Sequence, residues 1–213
     1  ERLGVELRLS TFMEADEITA FGADVTVLAT GSFPTATGFQ KAMPPIEKLP
    51  GIENGSFYPA EDVMARRAKL GKRVLMLDEG GNWKGCGTAL KLAEDGHEVT
   101  LMTPDPLVGK ELQRTAADYP LRQRLGKLGV RFILESGITR WTPGGAEKLS
   151  FLDGKTSFVE ADSLVFATPN RAEDSLAREL EGSGLLIHNI GDSAGPRQAP
   201  FVIYEGRRFA LDI

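Results

Sequence analysis

Residues 73–102 read RVLMLDEGGNWKGCGTALKLAEDGHEVTLM, and the architecture can be worked out from this stretch. Residues 73–77 form a continuous apolar run rich in strand formers. A loop with four glycines follows over 78–87, then a helical composition over 88–94 and a second apolar run over 98–102. Strand, glycine-rich loop, helix and strand within about 30 residues make a βαβ unit, the crossover that adjacent parallel strands require. Gly96 stands where such a helix would stop. Glycines at this junction let the backbone approach a pyrophosphate, whose charge a helix N-terminus favours.

The loop departs from the regular dinucleotide fingerprint. Gly80, Gly81, Gly85 and Gly87 are spread around an apparent insertion that contains the bulky Trp83, and the second strand runs into Met102-Thr103-Pro104 without an acidic residue. Asp105 is a poor substitute for the acidic ribose ligand expected about 20 residues beyond the glycines. Two readings stand side by side: a loop that holds NAD(P)H, and a loop that only shapes tight strand–helix packing.

Outward from this unit the pattern continues as α/β. Residues 5–9 alternate apolar and polar as a half-buried strand does, and 24–30 form a more continuously apolar strand ending at Gly31. Residues 32–59, with Pro34, Pro44, Pro45, Pro50 and Pro59, read as a long irregular connection of the kind that marks a functional or inter-domain segment. Residues 61–70 read as a helix closed by Gly71, and 112–128 as a helix interrupted near Pro120. After a strand at 130–134, short strands at 138–141, 148–152 and 157–160 are joined by Gly144-Gly145 and by Asp153-Gly154, the latter a strong hairpin signal. Strands at 163–168 and 185–190 follow, the second leading into Gly191-Asp192. A terminal helix over 199–213 offers Phe201, Val202, Phe209 and Ile213 for burial. The segments ADVTVLATGS at 23–32 and ADSLVFATPN at 161–170 echo one another, as two nucleotide-binding modules or one module visited twice would.

The segments Ala29-Thr30-Gly31 and Gly191-Asp192 each follow a strand, where open α/β sheets place ligands. Gly31 would let the chain pass close to a dinucleotide. Asp192 would accept hydrogen bonds from ribityl or ribose hydroxyls, and the helix after it would direct N–H groups at phosphate. The plainer reading of each is a turn glycine and a helix-capping aspartate. Cys86 reads as a small packing residue, Trp83 and Trp141 as structural aromatics, and Arg207-Arg208 as a solvated helix face. His97 and His188 have no neighbours that mark a base.

Composition narrows the function. The 213 residues carry a net charge of −5, which argues against nucleic acid or an anionic membrane surface as partner. No apolar run approaches the roughly 20 residues that span a bilayer. A single cysteine excludes an internal disulfide and a cysteine-ligated metal cluster built from this chain alone, and it suits a cytoplasmic location. The start at Glu1, without Met or leader, implies a processed or truncated beginning.

In their order, ADVTVLATGSFP, the 71–104 unit, ADSLVFATPN and IHNIGDSAGPRQAP with EGRRFALDI resemble the C-terminal half of the trimethylamine dehydrogenase-like and dienoyl-CoA-reductase-like NADH:flavin oxidoreductases. The resemblance implies an α/β, Rossmann-like fold in a glutathione-reductase-type arrangement of two dinucleotide domains. Residues 1–70 and 167–213 would belong to an FAD- or ADP-binding domain, with 71–166 an inserted NAD(P)-like domain. Ala29, Thr30, Gly31, Gly191 and Asp192 would contact FAD or ADP, and Gly80, Gly81, Gly85 and Gly87 would be a weaker second site. No catalytic residue falls in this chain. FMN and a 4Fe–4S cluster would belong to an N-terminal barrel of the same parent, and an electron-transferring flavoprotein would be its partner. The irregular loop points to the amine or N-methyl dehydrogenase branch. A working NAD(P)H site would point instead to an enoate or dienoyl reductase, and a third reading is a non-catalytic docking domain for an electron carrier. An unpaired sheet edge beside the 25–30 strand leads to an expectation of homo-oligomerisation.

Overall fold

A computed structural model describes residues 3–212. By compactness the chain divides after Phe33 and after Pro169, giving one unit of the residues up to Phe33 with those from Asn170 on, and a second of Pro34–Pro169. Residues 34–70 therefore fold with the second unit.

The first unit opens with helix α1 (Ala15–Phe21) and strands β1 (Thr26–Leu28) and β2 (Ser32–Phe33). Glu14 and Glu17 form a reciprocal capping box at the start of α1, and Gly22 ends it in the left-handed region. Residues 5–9 do not form the expected strand, and Val5, Leu7 and Leu9 are exposed. Alternation supplies a strand's two faces but not its hydrogen-bond partner, and no neighbouring strand takes up this segment among the described residues.

The second unit has three layers. Its centre is a five-stranded, wholly parallel sheet in the order β3 (Phe57–Pro59), β10 (Ser163–Ala167), β4 (Arg73–Asp78), β5 (Glu98–Met102), β6 (Arg131–Ile133). Helices α2 (Ala60–Met64), α3 (Trp83–Glu94) and α4 (Asp118–Lys127) cover one face. There Val74, Met76, Val99, Leu101 and Val165 meet Val63, Ala89, Leu92 and Leu125. An antiparallel meander of β7 (Ser136–Thr142), β8 (Gly145–Ser150) and β9 (Thr156–Glu160) covers the other, burying Ile138, Trp141, Ala146 and Val159 against Leu75, Leu77, Leu164 and Phe166. Because both faces of the central strands are covered, they read as unbroken apolar runs.

Local departures from the sequence reading have local causes. Helix α2 stops at Met64 because Arg66 adopts φ +59°, so residues 65–70 are not helical. The 112–128 segment breaks into a 3₁₀ turn over Lys110–Thr115 and α4, with Ala116 in the left-handed region between them. Pro120 then falls in the first turn of α4, where its missing N–H has no intrahelical acceptor to lose. The irregular 34–56 segment is held down by Gln40, whose buried amide makes two hydrogen bonds with the backbone of Ile138, to its O at 2.7 Å and from its N at 2.8 Å.

The chain re-enters the first unit through β11 (Arg171–Ala172), α5 (Ser175–Glu179), β12 (Ile187–Asn189) and α6 (Ala199–Asp212). β12 pairs parallel with β1, and β11 antiparallel with β2. Phe209 of α6 lies against His188 with ring centroids 4.6 Å apart, whereas Phe201, expected to be buried, is exposed. Ile213 lies outside the described residues. The two echoing segments thus contribute β1 to one unit and β10 to the other.

Candidate functional site

The β4–α3 junction is shorter than its sequence indicates. β4 ends at Asp78, the loop is residues 79–82, and Asn82 caps α3 by accepting from the Lys84 N–H at 2.9 Å. Trp83 is the first residue of the helix and largely exposed, so it forms no insertion, and Gly85 and Gly87 lie within the helix. In this register Gly80, Asn82 and Gly85 have the spacing of the three fingerprint glycines, and each position can be compared with its task. Gly85 performs the third, close helix–strand packing: a Cβ there would lie 2.8 Å from the Asp78 Cβ and closer still to its carboxyl carbon. Asn82 stands at the second, where a glycine would let the backbone approach a pyrophosphate.

The N–H groups of Glu79, Gly80 and Gly81 are already engaged, the first by the Ala167 carbonyl at 3.2 Å. Asp78 Oδ1 accepts the N–H groups of Gly80 and Gly81, each at 3.0 Å, and Oδ2 accepts from the Cys86 thiol at 3.3 Å. Burial, partly offset by these hydrogen bonds, pushes the Asp78 carboxyl up to about 6. Burial, reinforced by the charge of Asp78, also raises the Cys86 thiol, which is not a nucleophile in this setting. Glu79 turns the other way, accepting from the backbone N–H groups of Lys41 and Ala42 at 3.0 Å each. Its carboxyl is raised, by burial first. The crevice between β4 and β10, where the strand order reverses, is further crossed by Lys84, which pairs with Glu61 at 2.8 Å and donates to the Thr168 carbonyl at 3.2 Å. Asp105, in the loop after β5, is paired with Lys110 at 2.9 Å. Sequence reading missed Asp78, Glu79 and Asn82. The signal that finds them is the G-x-N-x-x-G spacing counted from Gly80, with a carboxylate ending the strand.

In the first unit the structure brings the two landmark segments together. β1 and β12 are parallel neighbours, so Ala29-Thr30-Gly31 and Gly191-Asp192 both emerge at their carboxyl ends. Ser32 Oγ donates to Asp192 Oδ2 at 3.0 Å and accepts from Asn170 Nδ2 at 3.1 Å. Asp192 Oδ1 accepts the Arg197 N–H at 3.2 Å, and the Gly191 N–H is taken by Glu205 at 2.7 Å. Gly191-Asp192-Ser193 is a 3₁₀ turn. Thr30 donates to the Glu173 carbonyl at 2.6 Å, and Gly31, at φ +87°, has open space where a Cβ would stand. Thr30 also lines a cleft of about 920 Å³ whose wall sets Phe12, Met13 and Leu176 against Glu14, Asp16, Glu173 and Glu179. None of these four carboxylates is in a side-chain ion pair among the described residues. Such a lining suits an apolar ring and hydroxyls rather than a phosphate.

Among the described residues no group of His, Cys, Asp and Glu is placed to hold a metal, and no helix is long and apolar enough to cross a membrane. The chain is 28% identical over 94% of its length to dimethylamine dehydrogenase from Hyphomicrobium sp. (strain x), and 31% identical over 99% to cinnamate reductase from Clostridium sporogenes. It superposes on histamine dehydrogenase from Rhizobium sp. 4-9 with a TM-score of 0.87 and 25% identity over 95% of the chain. It spans 31%, 30% and 32% of these three proteins, about a third of each. The resemblance to the nucleotide-binding part of trimethylamine dehydrogenase-like and dienoyl-CoA-reductase-like flavoproteins is borne out by these relatives. A family profile described as pyridine nucleotide-disulphide oxidoreductase matches residues 5–192, and the chain belongs to that family.

Proposed function

We propose that this chain is the nucleotide-holding part of a flavin-dependent oxidoreductase of the amine or N-methyl dehydrogenase type, whose electrons leave to a protein acceptor. The observation that carries this reading is the occupied β4–α3 loop. Its Gly80 and Gly81 N–H groups bond to Asp78 and the Lys84 N–H to Asn82, so a pyrophosphate would have to displace a buried carboxylate of its own sign. On this reading the loop holds no NAD(P)H, and no hydride entry is assigned to it.

Unit one fits a nucleotide better. Gly31 leaves the backbone open to close approach, Thr30 borders the cleft, and Asp192 follows β12, the parallel neighbour of β1, where its carboxylate could take hydroxyl hydrogen bonds. We assign FAD or ADP to Ala29, Thr30, Gly31, Gly191 and Asp192; FAD would supply two-electron chemistry, and ADP only structural support. FMN and a 4Fe–4S cluster belong to the rest of the parent, since Cys86 is buried and bonded to Asp78. An N-terminal FMN barrel, an electron-transferring flavoprotein and a second copy of the protein are its partners, in the cytoplasm.

The identity to cinnamate reductase favours a second reading, an enoate reductase fed by NAD(P)H. Anaerobic titration of the full-length protein separates the two. Bleaching of the flavin by a small secondary amine, and none by NADH or NADPH, is the expected result. Rapid reduction by either pyridine nucleotide would overturn the first reading.

A further inference from the structure

At the amino ends of β4, β5 and β6, opposite the glycine loop, the core between the two sheets of the second unit stops and a gap of about 840 Å³ opens. The alternation of the strands says why. On β8 the inward series passes from Ala146, fully buried, to Lys148. On β6 it passes from Ile133 to Arg131, which stands opposite Thr100 of β5. Each wall therefore runs from an apolar residue inside to a cation nearer the mouth, and Thr100, Arg131, Ile133 and Lys148 line the gap.

The charges around the gap are unevenly matched. Arg73 is taken by Asp162 and Glu160, each at 2.6 Å, and Glu98 by Lys72 at 2.6 Å. Among the described residues Arg131 has no carboxylate partner; its Nη2 donates to the buried Thr100 hydroxyl at 2.9 Å, which steadies the guanidinium beside the gap. Lys148 has no ion pair among the described residues either; Asp153, the carboxylate nearest it in effect, is paired with Lys155 at 3.0 Å. In a chain of net charge −5, these two cations, one from each sheet, line one opening together with Ile133 and Val159.

We propose that this cleft binds an amphipathic carboxylate, its head held between Arg131 and Lys148 and an acyl or aromatic body laid on Ile133 and Val159. The planar fork of Arg131 matches a carboxylate, and the volume is that of a small-molecule site. Glu98 and Glu160 on the rim oppose a more highly charged anion. This site is independent of the nucleotide site in the first unit.

The test is calorimetric titration of the full-length protein with octanoate, with octylamine and inorganic phosphate as controls. Octanoate is expected to bind, octylamine not, and phosphate far more weakly. Arg131→Gln with Lys148→Gln should weaken octanoate about tenfold or more, while Arg131→Lys with Lys148→Arg retains most of the affinity. Bound-nucleotide content and melting temperature should match the unsubstituted protein in both variants. The proposal is overturned if octanoate does not bind, if the double glutamine variant binds it equally well, or if phosphate binds as tightly as octanoate.

Discussion

The side chain of Asp78 occupies the space that a β-carbon on Gly85 would need. Asp78 is fully buried and held by Gly80, Gly81 and Cys86, so it cannot swing aside without leaving those donors unpaired. Gly85→Ala should therefore destabilise by about 1–3 kcal/mol through overpacking. Gly87, two residues on in the same helix, meets only Trp83 at 3.7 Å, and Gly87→Ala should be neutral or stabilising by up to about 1 kcal/mol. Melting curves of the two variants check the pair; equal effects would show that the contact does not govern Gly85.

The same carboxyl makes stability depend on pH. Its pKa rises from 3.8 to about 6 on folding, so between those values the folded chain holds more protons than the unfolded one. Stability from this group is full below about pH 4 and is lost as pH rises through 6, by about 3 kcal/mol. Glu79, also raised, adds a contribution of the same sign. Asp78→Asn keeps an acceptor for the glycine N–H groups and removes the buried charge. Its melting temperature should fall less than that of the unsubstituted protein between pH 4 and 7, and parallel curves would assign the slope to other groups.

Gln40 carries the irregular 34–56 segment on two buried hydrogen bonds to one residue, Ile138. Gln40→Ala leaves both a backbone N–H and a carbonyl without their partner, and should cost about 2–5 kcal/mol. Gln40→Glu keeps the acceptor but sets a second acceptor against the Ile138 carbonyl, so it should be no better tolerated. Limited proteolysis is the direct readout: cleavage within residues 34–56 should accelerate in both variants before the rest of the chain is attacked.

These residues also show what a sequence discloses about a fold. The βαβ unit, the meander and the two strand-end landmarks follow from apolar runs and glycine turns, which are local signals. The length of the 79–82 loop did not, because glycines at 85 and 87 resemble loop and only the packing against Asp78 explains the first of them. Residues 5–9 show the opposite failure, since a strand pattern without a pairing neighbour remains exposed. Gln40 and Glu79 act across 98 and 37–38 residues of sequence, and no local pattern marks such partners.

Cys86 sits at a helix N-terminus, a position that often activates a thiol, yet burial and the adjacent Asp78 carboxylate oppose its ionisation. In native protein at pH 8 the peptide bearing Cys86 should remain unlabelled by iodoacetamide and become labelled in denaturant. Labelling of the native protein at the rate of a free thiol would place this residue in a far more open environment.

Asp192 tests the first unit. Its two oxygens accept from Ser32 and from the Arg197 N–H, which fixes the carboxylate at the carboxyl end of β12 beside Gly31. If an adenine nucleotide is held here, Asp192→Ala should lower the nucleotide recovered from purified full-length protein well below one per chain, because a charge-assisted hydrogen bond is worth about 1.5–3 kcal/mol. Ser32→Ala removes only the group that steadies the carboxylate, so its loss should be smaller and made good by added nucleotide. Full occupancy in Asp192→Ala would mean that this aspartate only braces the turn after β12. Loss in both variants together with a fallen melting temperature would have the same meaning, since a ligand contact can be removed without unfolding the turn that bears it.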